Sequence, residues 1–387
     1  MKILFCNYEY PPLGGGGGVV NALLARELAK RHDVTVLTSQ ALGLPKNRFE
    51  DGVKVVRVPV FFRTQEAAAD LLSMLMFLPI GISVGKRLVQ QYSYDVVNTH
   101  FVLPSGPVGE AVARHGCLPN VLSLHGGDLF DPSKWTSPHR HGVLRMWIRW
   151  LLRRADRVVG QSNNTIENVR RFYDQEISPA CIPLGIERPK LMKSSREDFG
   201  FPEEEVLLIT IGRLIARKAV DHLIAVMERF KGVPVRLLVV GCGPQEGSLQ
   251  NEVRQRQIDG QVQFLGHVSE ETKFRLLQIS DVYVSSSQHE GFGLVFLEAM
   301  ACGLPVVCYN HGGQTDFLRN GENGFLVPLN SIDILEKKCR ELINNSELRR
   351  LMGEKNKRAA EDYFIDQCAL KYERVFYEAL DQPALAV

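Results

Sequence analysis

Two glutamates eight residues apart, Glu290 and Glu298, are the best candidates for chemistry in this chain of 387 residues. Glu290 follows a predicted buried strand at Val282–Ser285, and Glu298 lies inside an otherwise apolar predicted helix. A carboxylate on such a helix is costly to bury unless a partner donates hydrogen bonds to it. Ribose or sugar hydroxyls are suitable donors, so the pair indicates a site for a polyhydroxylated ligand. Two unrelated glutamates are the alternative.

Cations and glycines near these glutamates are suited to phosphate. Gly291 and Gly293 permit close backbone approach just before a helix, whose first N–H groups can bind an anion. Arg213 and Lys218 surround a predicted turn from strand to helix after Val206–Ile211. The arginine fork and the lysine point charge suit a diphosphate. Cations that are simply solvated remain the alternative for this pair.

A second glycine-rich loop lies near the start of the chain, where residues 14–18 are all glycine. The loop follows the first predicted strand and precedes a helix predicted from about Val19, so it can cradle a phosphate. A dinucleotide fingerprint is excluded because Val19 and Val20 stand where its third glycine must fall. A flexible loop with no ligand is the alternative.

The elements that must position these residues are short β-rich runs that alternate with helical patterns. This alternation predicts an α/β fold with parallel sheets covered on both faces, and the pattern restarts at Val206. We therefore expect two Rossmann-like domains that face each other across a cleft, with ligands at the carboxyl ends of the strands. The predicted boundaries are a first domain at 1–185, a linker at 186–205, a second domain at 206–364 and a C-terminal helix in 365–387 that packs back on the first domain.

Composition excludes several classes of protein. With 45% hydrophobic and 23% charged residues, the chain is globular rather than disordered. Its eight cysteines form no C-x-x-C pair, which argues against a zinc site or a disulfide framework and favours a reducing compartment. The apolar stretch Leu71–Val84 has 14 residues, fewer than the ~20 of a spanning helix, and no signal-peptide core precedes the first strand. We expect a cytoplasmic protein that does not cross a membrane.

Taken together, the motifs resemble those of the retaining glycosyltransferases of family 4, which have the GT-B fold. The resemblance runs along nearly the whole chain, and its motifs are the glycine-rich first loop, Gly212-Arg213-Leu214, Val240-Gly241-Cys242-Gly243-Pro244, Phe264-Leu265-Gly266, Glu290-Gly291-Phe292-Gly293, the segment 298–307, Gly312-Gly313 and the segment 320–324. It implies transfer of a hexose, with retention of anomeric configuration, from a nucleotide diphosphate sugar to a glycan or lipid-linked acceptor. Uridine donors are the commonest in this family.

The resemblance also implies roles for individual residues. Arg213 and Lys218 would bind the donor diphosphate, Glu298 the ribose hydroxyls, and Glu290 with the amides that follow it the donor sugar. Catalytic residues would be His125, Arg213, Lys218 and Glu290. Residues that bind the donor would be Gly15, Gly16, Arg213, Lys218, His267, Glu290, Gly291, Phe292, Gly293, Leu294 and Glu298. His125, in Leu124-His125-Gly126-Gly127-Asp128, is expected to orient the reacting groups rather than act as a covalent base, and core packing is its alternative.

Two positions depart from the family pattern, and one motif is absent. Ala219 stands where the family usually has glycine, so we expect a slightly altered turn. Gly312-Gly313 is followed by Gln314-Thr315-Asp316 rather than by Pro-Glu, so Asp316 would keep the charge with a shorter reach. The sequence contains no D-x-D pair, so we expect no metal bound to the diphosphate and no cofactor besides the nucleotide sugar substrate.

Charge is unevenly distributed along the chain and points to an anionic partner. Residues 1–190 carry 23 Lys and Arg against 16 Asp and Glu, a net charge of +7, whereas residues 191–387 carry −5. The segment 139–157 has six arginines beside Trp147 and Trp150, a pattern of helices that lie on anionic lipid. A peripheral protein at the inner face of the membrane is one expectation. A domain-packing helix with solvated arginines is the other.

Two other functions are compatible with the same domain plan. A nucleotide-sugar epimerase or hydrolase would act on the donor alone, and a non-catalytic subunit of polysaccharide assembly would bind without turnover. The intact Glu290, Glu298, Arg213 and Lys218 argue against the non-catalytic subunit. Nucleic acid is not expected as a partner, because the basic residues cluster on one helix without a recognised motif.

Overall fold

The computed structural model describes residues 1–41, 43–61, 63, 71–132, 134–190 and 192–381, which form two compact units. The first unit contains Met1–Glu187 and resumes at Phe364, and the second unit contains Arg188–Tyr363. Each unit is a mainly parallel sheet covered by helices, which confirms the predicted fold class.

The strands and helices follow each other in near-regular alternation. The strands are β1 (Lys2–Asn7), β2 (Asp33–Gln40), β3 (Asn47–Glu50), β4 (Val53–Pro59), β5 (Val96–His100), β6 (Asn120–Leu124), β7 (Arg157–Gly160), β8 (Ala180–Cys181), β9 (Val206–Ile211), β10 (Val235–Val240), β11 (Val262–Gly266), β12 (Val282–Ser285), β13 (Val306–Tyr309) and β14 (Gly324–Val327). The helices are α1 (Gly16–Ala29), α2 (Leu71–Gln91), α3 (Ser105–Gly116), α4 (Gly142–Arg154), α5 (Asn163–Phe172), α6 (Val220–Glu228), α7 (Glu246–Gln255), α8 (Glu270–Ile279), α9 (Leu294–Ala301), α10 (Ile332–Ile343), α11 (Ser346–Ala360) and α12 (Ile365–Asp381).

The first unit has a sheet in the order β3-β4-β2-β1-β5-β6-β7-β8, in which only the β3–β4 pair is antiparallel. Its central strand β1 alternates its side chains between two cores. Ile3 and Phe5 pack with α1 and α12, whereas Leu4 and Cys6 pack with α2 and α3. Both faces of the sheet are therefore covered, as a parallel sheet requires.

Helix α12 belongs to the core of the first unit. Ala369 and Phe376 are fully buried in the cluster that also holds α1. The chain enters this helix through a short bridge, in which Ile365 donates its N–H to the carbonyl oxygen of Ile186 at 2.9 Å. Of the segment predicted at 365–387, residues 382–387 lie outside the described part of the chain.

The predicted linker at 186–205 is largely part of the second unit, which begins at Arg188. Arg196 donates from Nη2 to Asp281 Oδ2 at 2.6 Å and from Nη1 to the carbonyl oxygens of Glu203 and Glu205. Phe201 is buried beside this network. The polar composition that indicated a linker instead serves a network of hydrogen bonds at the edge of the second unit.

The second unit has a parallel sheet in the order β11-β10-β9-β12-β13-β14. From β9 the chain proceeds to β10 on one side, and it later returns to place β12 on the other side. The strand order thus reverses between β9 and β12, where open α/β sheets bind ligands beyond the carboxyl ends of their strands. The corresponding reversal in the first unit lies between β1 and β5.

Helix α2 is longer than its sequence indicated. The apolar stretch of 14 residues extends into a helix of 21 residues that could cross a membrane by length and composition, so the sequence argument from length is wrong. In the first unit this helix packs on α3. A Cβ at Gly81 would lie 3.2 Å from Val108, and one at Gly85 would lie 2.4 Å from Val112. The two glycines let α2 and α3 approach each other closely along one face of α2.

We predict that Gly109→Ala destabilises the first unit. Gly109 on α3 faces β5, where an added Cβ would lie 1.8 Å from Thr99 Oγ1, which donates to Asn120 Oδ1. Overpacking of this kind costs about 1–3 kcal/mol, which should lower the unfolding temperature by several degrees in a thermal melt. Gly142→Ala on α4 is the control, since no atom lies within 4 Å of its added Cβ. Equal effects of both substitutions would contradict the prediction.

Candidate functional site

The chain leaves β9 through a tight turn that ends at Ala219. Glycines after β10 lie against this turn, because a Cβ at Gly241 would stand 2.1 Å from the Gly212 oxygen and one at Gly243 2.2 Å from the Leu214 oxygen. Ala219 adopts φ +45° and ψ 44°, a left-handed conformation that favours glycine. The alanine therefore keeps a left-handed turn at some cost in backbone strain.

This turn presents three cations. Arg213 is exposed and makes no ion pair within the described residues. Lys218 extends to Glu290, with its Nζ paired to Oε1. Arg217, which the sequence analysis did not single out, lies with Nη1 3.6 Å from Oε2 of the same carboxylate and also donates to the carbonyl oxygen of His289. Both oxygens of Glu290 thus face a cation.

Glu290 is held in its charged form despite burial. Its side chain is 9% exposed, and burial alone raises the pKa of a carboxyl group. Lys218 and Arg217 outweigh that effect, so the pKa of Glu290 lies below its usual range. The carboxylate is therefore ionised at neutral pH and acts as a hydrogen-bond acceptor.

The loop after Glu290 leads directly into helix α9. Phe292 is buried against the rings of Phe317 and Tyr363, which anchors the loop. Gly293 has φ +98° and precedes Leu294, the first residue of α9, with no side chain capping the helix. The first N–H groups of α9 have no partner within the helix and can bind an anion or a hydroxyl oxygen.

A second glycine turn closes on this loop from β13. Gly313 donates its N–H to the carbonyl oxygen of Glu290 at 2.9 Å. A Cβ at Gly312 would lie 2.6 Å from that oxygen, and one at Gly313 would lie 2.3 Å from the Gly291 oxygen. The loop that carries Glu290 and Gly291 is thereby fixed by backbone contacts that only glycine permits.

Glu298 lies one turn into α9, and one of its two carboxylate oxygens has a hydrogen-bond partner. Its Oε1 accepts from Lys273 Nζ at 2.8 Å, whereas its Oε2 is buried and has no hydrogen-bond partner within the described residues. Burial raises the pKa of Glu298, and Lys273 opposes that rise only in part. A buried carboxylate oxygen without a donor is unfavourable, so this atom is suited to accept a bond from a ligand hydroxyl.

These residues share one edge of the second sheet. Arg213 and Lys218 follow β9, Glu290 follows β12, and the exposed His267 follows β11. Gly241 after β10 donates to the carbonyl oxygen of Gly266 at 2.7 Å, which ties the ends of β10 and β11 together. The structure therefore brings every residue predicted to bind the donor, apart from Gly15 and Gly16, to the carboxyl edge of one sheet.

Sequence reasoning missed Arg217 and Lys273. Arg217 lies next to Lys218, and its position in the turn was the available signal. Lys273 lies in an ordinary amphipathic pattern and is 25 residues from Glu298 in sequence, so no local motif identifies it. Arg217 joins Lys218 around the Glu290 carboxylate, and Lys273 pairs with the Glu298 carboxylate.

In the first unit, the early glycine loop lies at the carboxyl end of β1. Helix α1 begins at Gly16, earlier than predicted, and Gly15 precedes it without a side-chain cap. The Gly15 N–H donates to Glu9 Oε2 at 3.2 Å. Burial raises the pKa of Glu9, which the backbone N–H of Gly15 opposes. A Cβ at Gly17 would lie 2.5 Å from the ring of Phe101, so the loop rests on the end of β5.

His125 also contacts the ring of Phe101. The two rings stack with centroids 4.2 Å apart, and His125 Nε2 lies 3.1 Å from His100 Nδ1. Asp128 accepts a hydrogen bond from the backbone N–H of His125 at 3.0 Å, and Gln161 donates a hydrogen bond to the carbonyl oxygen of His125. His125 Nδ1 is buried without a partner in the described part of the chain. The first unit thus brings the glycine loop and His125 together through Phe101.

Burial makes the imidazole of His125 neutral. It lowers the pKa of His125 to about 3 and lowers that of His100 well below its usual range. Burial also raises the pKa of Asp128 to about 6, although the backbone N–H groups of Val102 and His125 oppose it. A neutral imidazole with one unpaired ring nitrogen can orient a ligand through a single hydrogen bond.

Helix α4 covers most of the arginine-rich segment 139–157 and has two apolar faces. Ile148, Leu151 and Leu152 are buried in the first unit. On the opposite side Val143, Met146 and Trp150 are 75%, 69% and 48% exposed. The spacing of three and four residues places these side chains on one stripe.

The arginines of this segment are divided between partners and solvent. Arg149 and Arg153 pair with Asp174, and Arg154 pairs with Glu110. Arg145 is exposed and forms no ion pair in the described ranges. Part of the positive charge therefore serves the fold, and part of it lies at the surface.

Metal ligands do not cluster in the described residues, since no group of three or more His, Cys, Asp or Glu side chains could hold an ion.

Comparison with known proteins matches each unit to a glycosyltransferase family model. The family model for Glycosyltransferase Family 4 matches residues 14–188, and the model for glycosyl transferases group 1 matches residues 192–359. The N-acetyl-α-D-glucosaminyl L-malate synthase of Bacillus anthracis is 27% identical over 393 residues, with 96% of each chain covered. The α-monoglucosyldiacylglycerol synthase of Acholeplasma laidlawii is 24% identical, with 99% of this chain and 98% of the relative covered.

Solved structures with the same fold include two that cover nearly the whole chain. Sucrose-phosphate synthase from Thermosynechococcus elongatus has a TM-score of 0.84 at 22% identity and covers 97% of this chain and 98% of its own. Anabaena HepE in complex with UDP-glucose has a TM-score of 0.76 at 20% identity and covers 98% of this chain and 100% of its own. These matches, together with two sheets that carry candidate sites at their carboxyl edges, show that the chain belongs to the group 1 glycosyltransferases and is a glycosyltransferase of the GT-B fold.

Proposed function

We propose that this glycosyltransferase transfers a hexose, with retention of configuration, from a UDP-sugar to a glycan or lipid-linked acceptor. The observation that carries the proposal is the buried, unpartnered Oε2 of Glu298 at the same sheet edge as Arg213 and the Lys218–Glu290 pair. The HepE structures bound to UDP and to UDP-glucose support a uridine nucleotide as the donor.

The diphosphate of the donor is assigned to the cations around β9. Arg213 is exposed and can form a bidentate contact with phosphate oxygens. Lys218 already lies at the site, and its ammonium can turn from Glu290 toward the phosphate while Arg217 remains near the carboxylate. These charges stabilise the negative charge that develops on the leaving nucleotide, which is the largest electrostatic demand of the reaction.

The ribose is assigned to Glu298 and the sugar to the loop 290–294. An ionised carboxylate is a strong acceptor for ribose hydroxyls, and Oε2 has no competing donor. Glu290 and the N–H groups of Leu294 and Val295, at the start of α9, can hold the hydroxyls of the sugar. His267, after β11, is assigned to the base.

Retention is proposed to proceed by departure and attack on the same face of the sugar. In this mechanism the acceptor oxygen bonds to the anomeric carbon as the bond from that carbon to the diphosphate breaks, and the leaving phosphate takes the proton of the acceptor hydroxyl. Neither a protein nucleophile nor a protein base is then required. Burial lowers the pKa of His125 to about 3, which supports a role as hydrogen-bond orienter rather than base. Gly15 and Gly16 are assigned to the phosphate or acceptor. Arg213 and Lys218 supply the positive charge that a metal would otherwise bring, so the proposed mechanism is independent of metal.

An anionic membrane surface is the proposed partner of the segment 139–157, which would place the enzyme in the cytoplasm at the inner face of the membrane. Val143 and Met146 are exposed in the first turns of α4, where Arg145 is also exposed. Leu71 and Leu72 are exposed in the first turn of α2. Helices α2 and α4 both pack on α3, so the three helices form one layer. Each of α2 and α4 follows a strand of the same sheet and runs back along it. The exposed residues in their first turns therefore lie at the same edge of that layer. Apolar residues flanked by arginine suit a bilayer of anionic lipid.

We predict that a UDP-hexose stabilises the protein in a thermal shift panel of UDP-, GDP- and ADP-linked hexoses. Glu298→Gln and Arg213→Ala should each weaken the binding about 10–100-fold, because each removes a charge-assisted contact. Arg254→Ala, an exposed arginine on α7, is the matched control and should leave binding unchanged.

Turnover with candidate acceptors then tests the reaction. An α-linked product from an α-linked donor, observed by NMR, is the expected result, and an inverted product would refute retention. Consumption of donor without acceptor would favour the epimerase or hydrolase. Failure of every nucleotide sugar to bind would favour the non-catalytic subunit.

We also predict binding to vesicles that contain anionic phosphatidylglycerol, measured by flotation, and weaker binding at high salt. The triple variant Arg145→Glu, Met146→Ser and Trp150→Ser should reduce partitioning about tenfold or more, since it removes charge and apolar contact together. Helix α12 provides a matched control on the opposite face of the sheet, with Arg374→Glu, Leu370→Ser and Tyr377→Ser. Equal binding by both triple variants, or no binding by the unmodified protein, would refute the membrane partner.

A further inference from the structure

A buried lysine lies behind the proposed ribose site. Lys273 on α8 is 8% exposed, and lysine is seldom buried to this extent unless it is paired. Its Nζ lies 2.8 Å from Glu298 Oε1 and 2.7 Å from Glu270 Oε2. The side chain thus bridges one carboxylate inside the unit and one at its surface.

The two partners of Lys273 differ in what they need from it. The side chain of Glu270 is 79% exposed, so water can solvate its charge. The side chain of Glu298 is 14% exposed and lies among apolar neighbours on α9. An ionised carboxylate in that position needs a counterion, whereas an exposed one does not.

The other charged and titratable groups around Glu298 do not replace that counterion. Lys357 on α11 acts on Cys302 but not on Glu298. Glu270 is an anion on the same helix as Lys273. Burial raises the pKa of Tyr283 on β12 far above its usual value and raises that of Cys302, at the end of α9, to about 12. Both groups are therefore neutral. Within the described residues, Lys273 is the cation that acts on Glu298.

The contact is also directional. Lys273 occupies Oε1 alone, and Oε2 is left buried without a donor. We propose that Lys273 is a positioning residue for the nucleotide: it holds Glu298 charged through Oε1 and thereby directs Oε2 to the ribose hydroxyls. This inference rests on the proposed function, because it takes Glu298 as the residue that binds ribose.

The effect of removing Lys273 follows from the charges. Burial already raises the pKa of Glu298, and loss of the lysine removes the interaction that opposes that rise. In Lys273→Met the carboxyl group should be protonated at a higher pH than in the unmodified protein. A protonated carboxyl is a weaker acceptor, so the affinity for ribose should fall at neutral pH and recover as pH increases.

The test compares ligands with and without ribose hydroxyls. Calorimetric titrations at pH 6 to 9 use UDP, GDP and ADP, and the 2′,3′-dideoxy analogue of whichever binds best. We expect Lys273→Met to weaken the nucleotide about 10–100-fold at pH 7, less at pH 9, and to leave the dideoxy analogue within about twofold. Lys337→Met, an exposed lysine on α10, is the matched control for the substitution.

The outcomes separate this inference from the proposed function. Equal weakening of the nucleotide and its dideoxy analogue would indicate a distorted site and overturn the inference, as would unchanged affinity. If Glu298→Gln weakens binding and Lys273→Met does not, the ribose assignment stands and the role of Lys273 falls. If none of the three nucleotides binds the unmodified protein, both fall.

A second pair of variants keeps the test usable if Lys273→Met does not fold. Glu298→Gln, alone and combined with Lys273→Met, leaves no buried carboxylate beside residue 273 to be neutralised. If Lys273 acts through Glu298, adding Lys273→Met to Glu298→Gln should not change the affinity for the nucleotide further. A further loss of about tenfold in the double variant would overturn the inference.

Discussion

The site in the second unit depends on how two buried carboxylates are neutralised. A carboxylate that is nearly removed from water is tolerated only beside a cation or several donors. Glu290 has a cation at each oxygen, Lys218 at one and Arg217 at the other. Glu298 has a cation at one oxygen only. The fold therefore leaves one oxygen of these two carboxylates without a donor in the described residues, and that difference between the two carboxylates is the most direct sign of a binding site.

This arrangement depends on glycines that allow neighbouring stretches of backbone to approach each other closely. The turn that delivers Lys218 is supported by Gly241 and Gly243, whose Cβ positions would coincide with backbone atoms. The loop that delivers Glu290 is closed in the same way by Gly312 and Gly313. Glycines that follow β10 and β13, the strands on either side of β9 and β12, thus fix the two halves of one ion pair. A larger residue at any of the four positions would move a charged group, which ties the glycine motifs to the chemistry.

The sequence was sufficient to predict features that repeat along the chain, but it was not sufficient to predict contacts between residues that are distant in sequence. Alternating strands and helices identified both sheets, and the motifs around Glu290 and Glu298 lie at the predicted sheet edge. Lys273 could not be found, because only the packing of α8 on α9 brings it to Glu298. The linker at 186–205 was misjudged because polar residues serve internal hydrogen bonds as well as solvent. Helix α2 was underestimated because its last turns are polar.

The first unit differs from the second in how it accommodates buried titratable groups, because its buried histidines are neutral rather than paired with an opposite charge. Because the pKa of His125 is about 3, its protonation at pH 7 would cost about 5 kcal/mol, which is too much for an effective general base. His125 nevertheless keeps Nδ1 unpaired beside Phe101, while Asp128 fixes its backbone. An imidazole in this state can accept or donate one hydrogen bond without taking up a proton. This agrees with the proposed reaction, in which the departing phosphate receives the proton of the acceptor and His125 orients the groups that react.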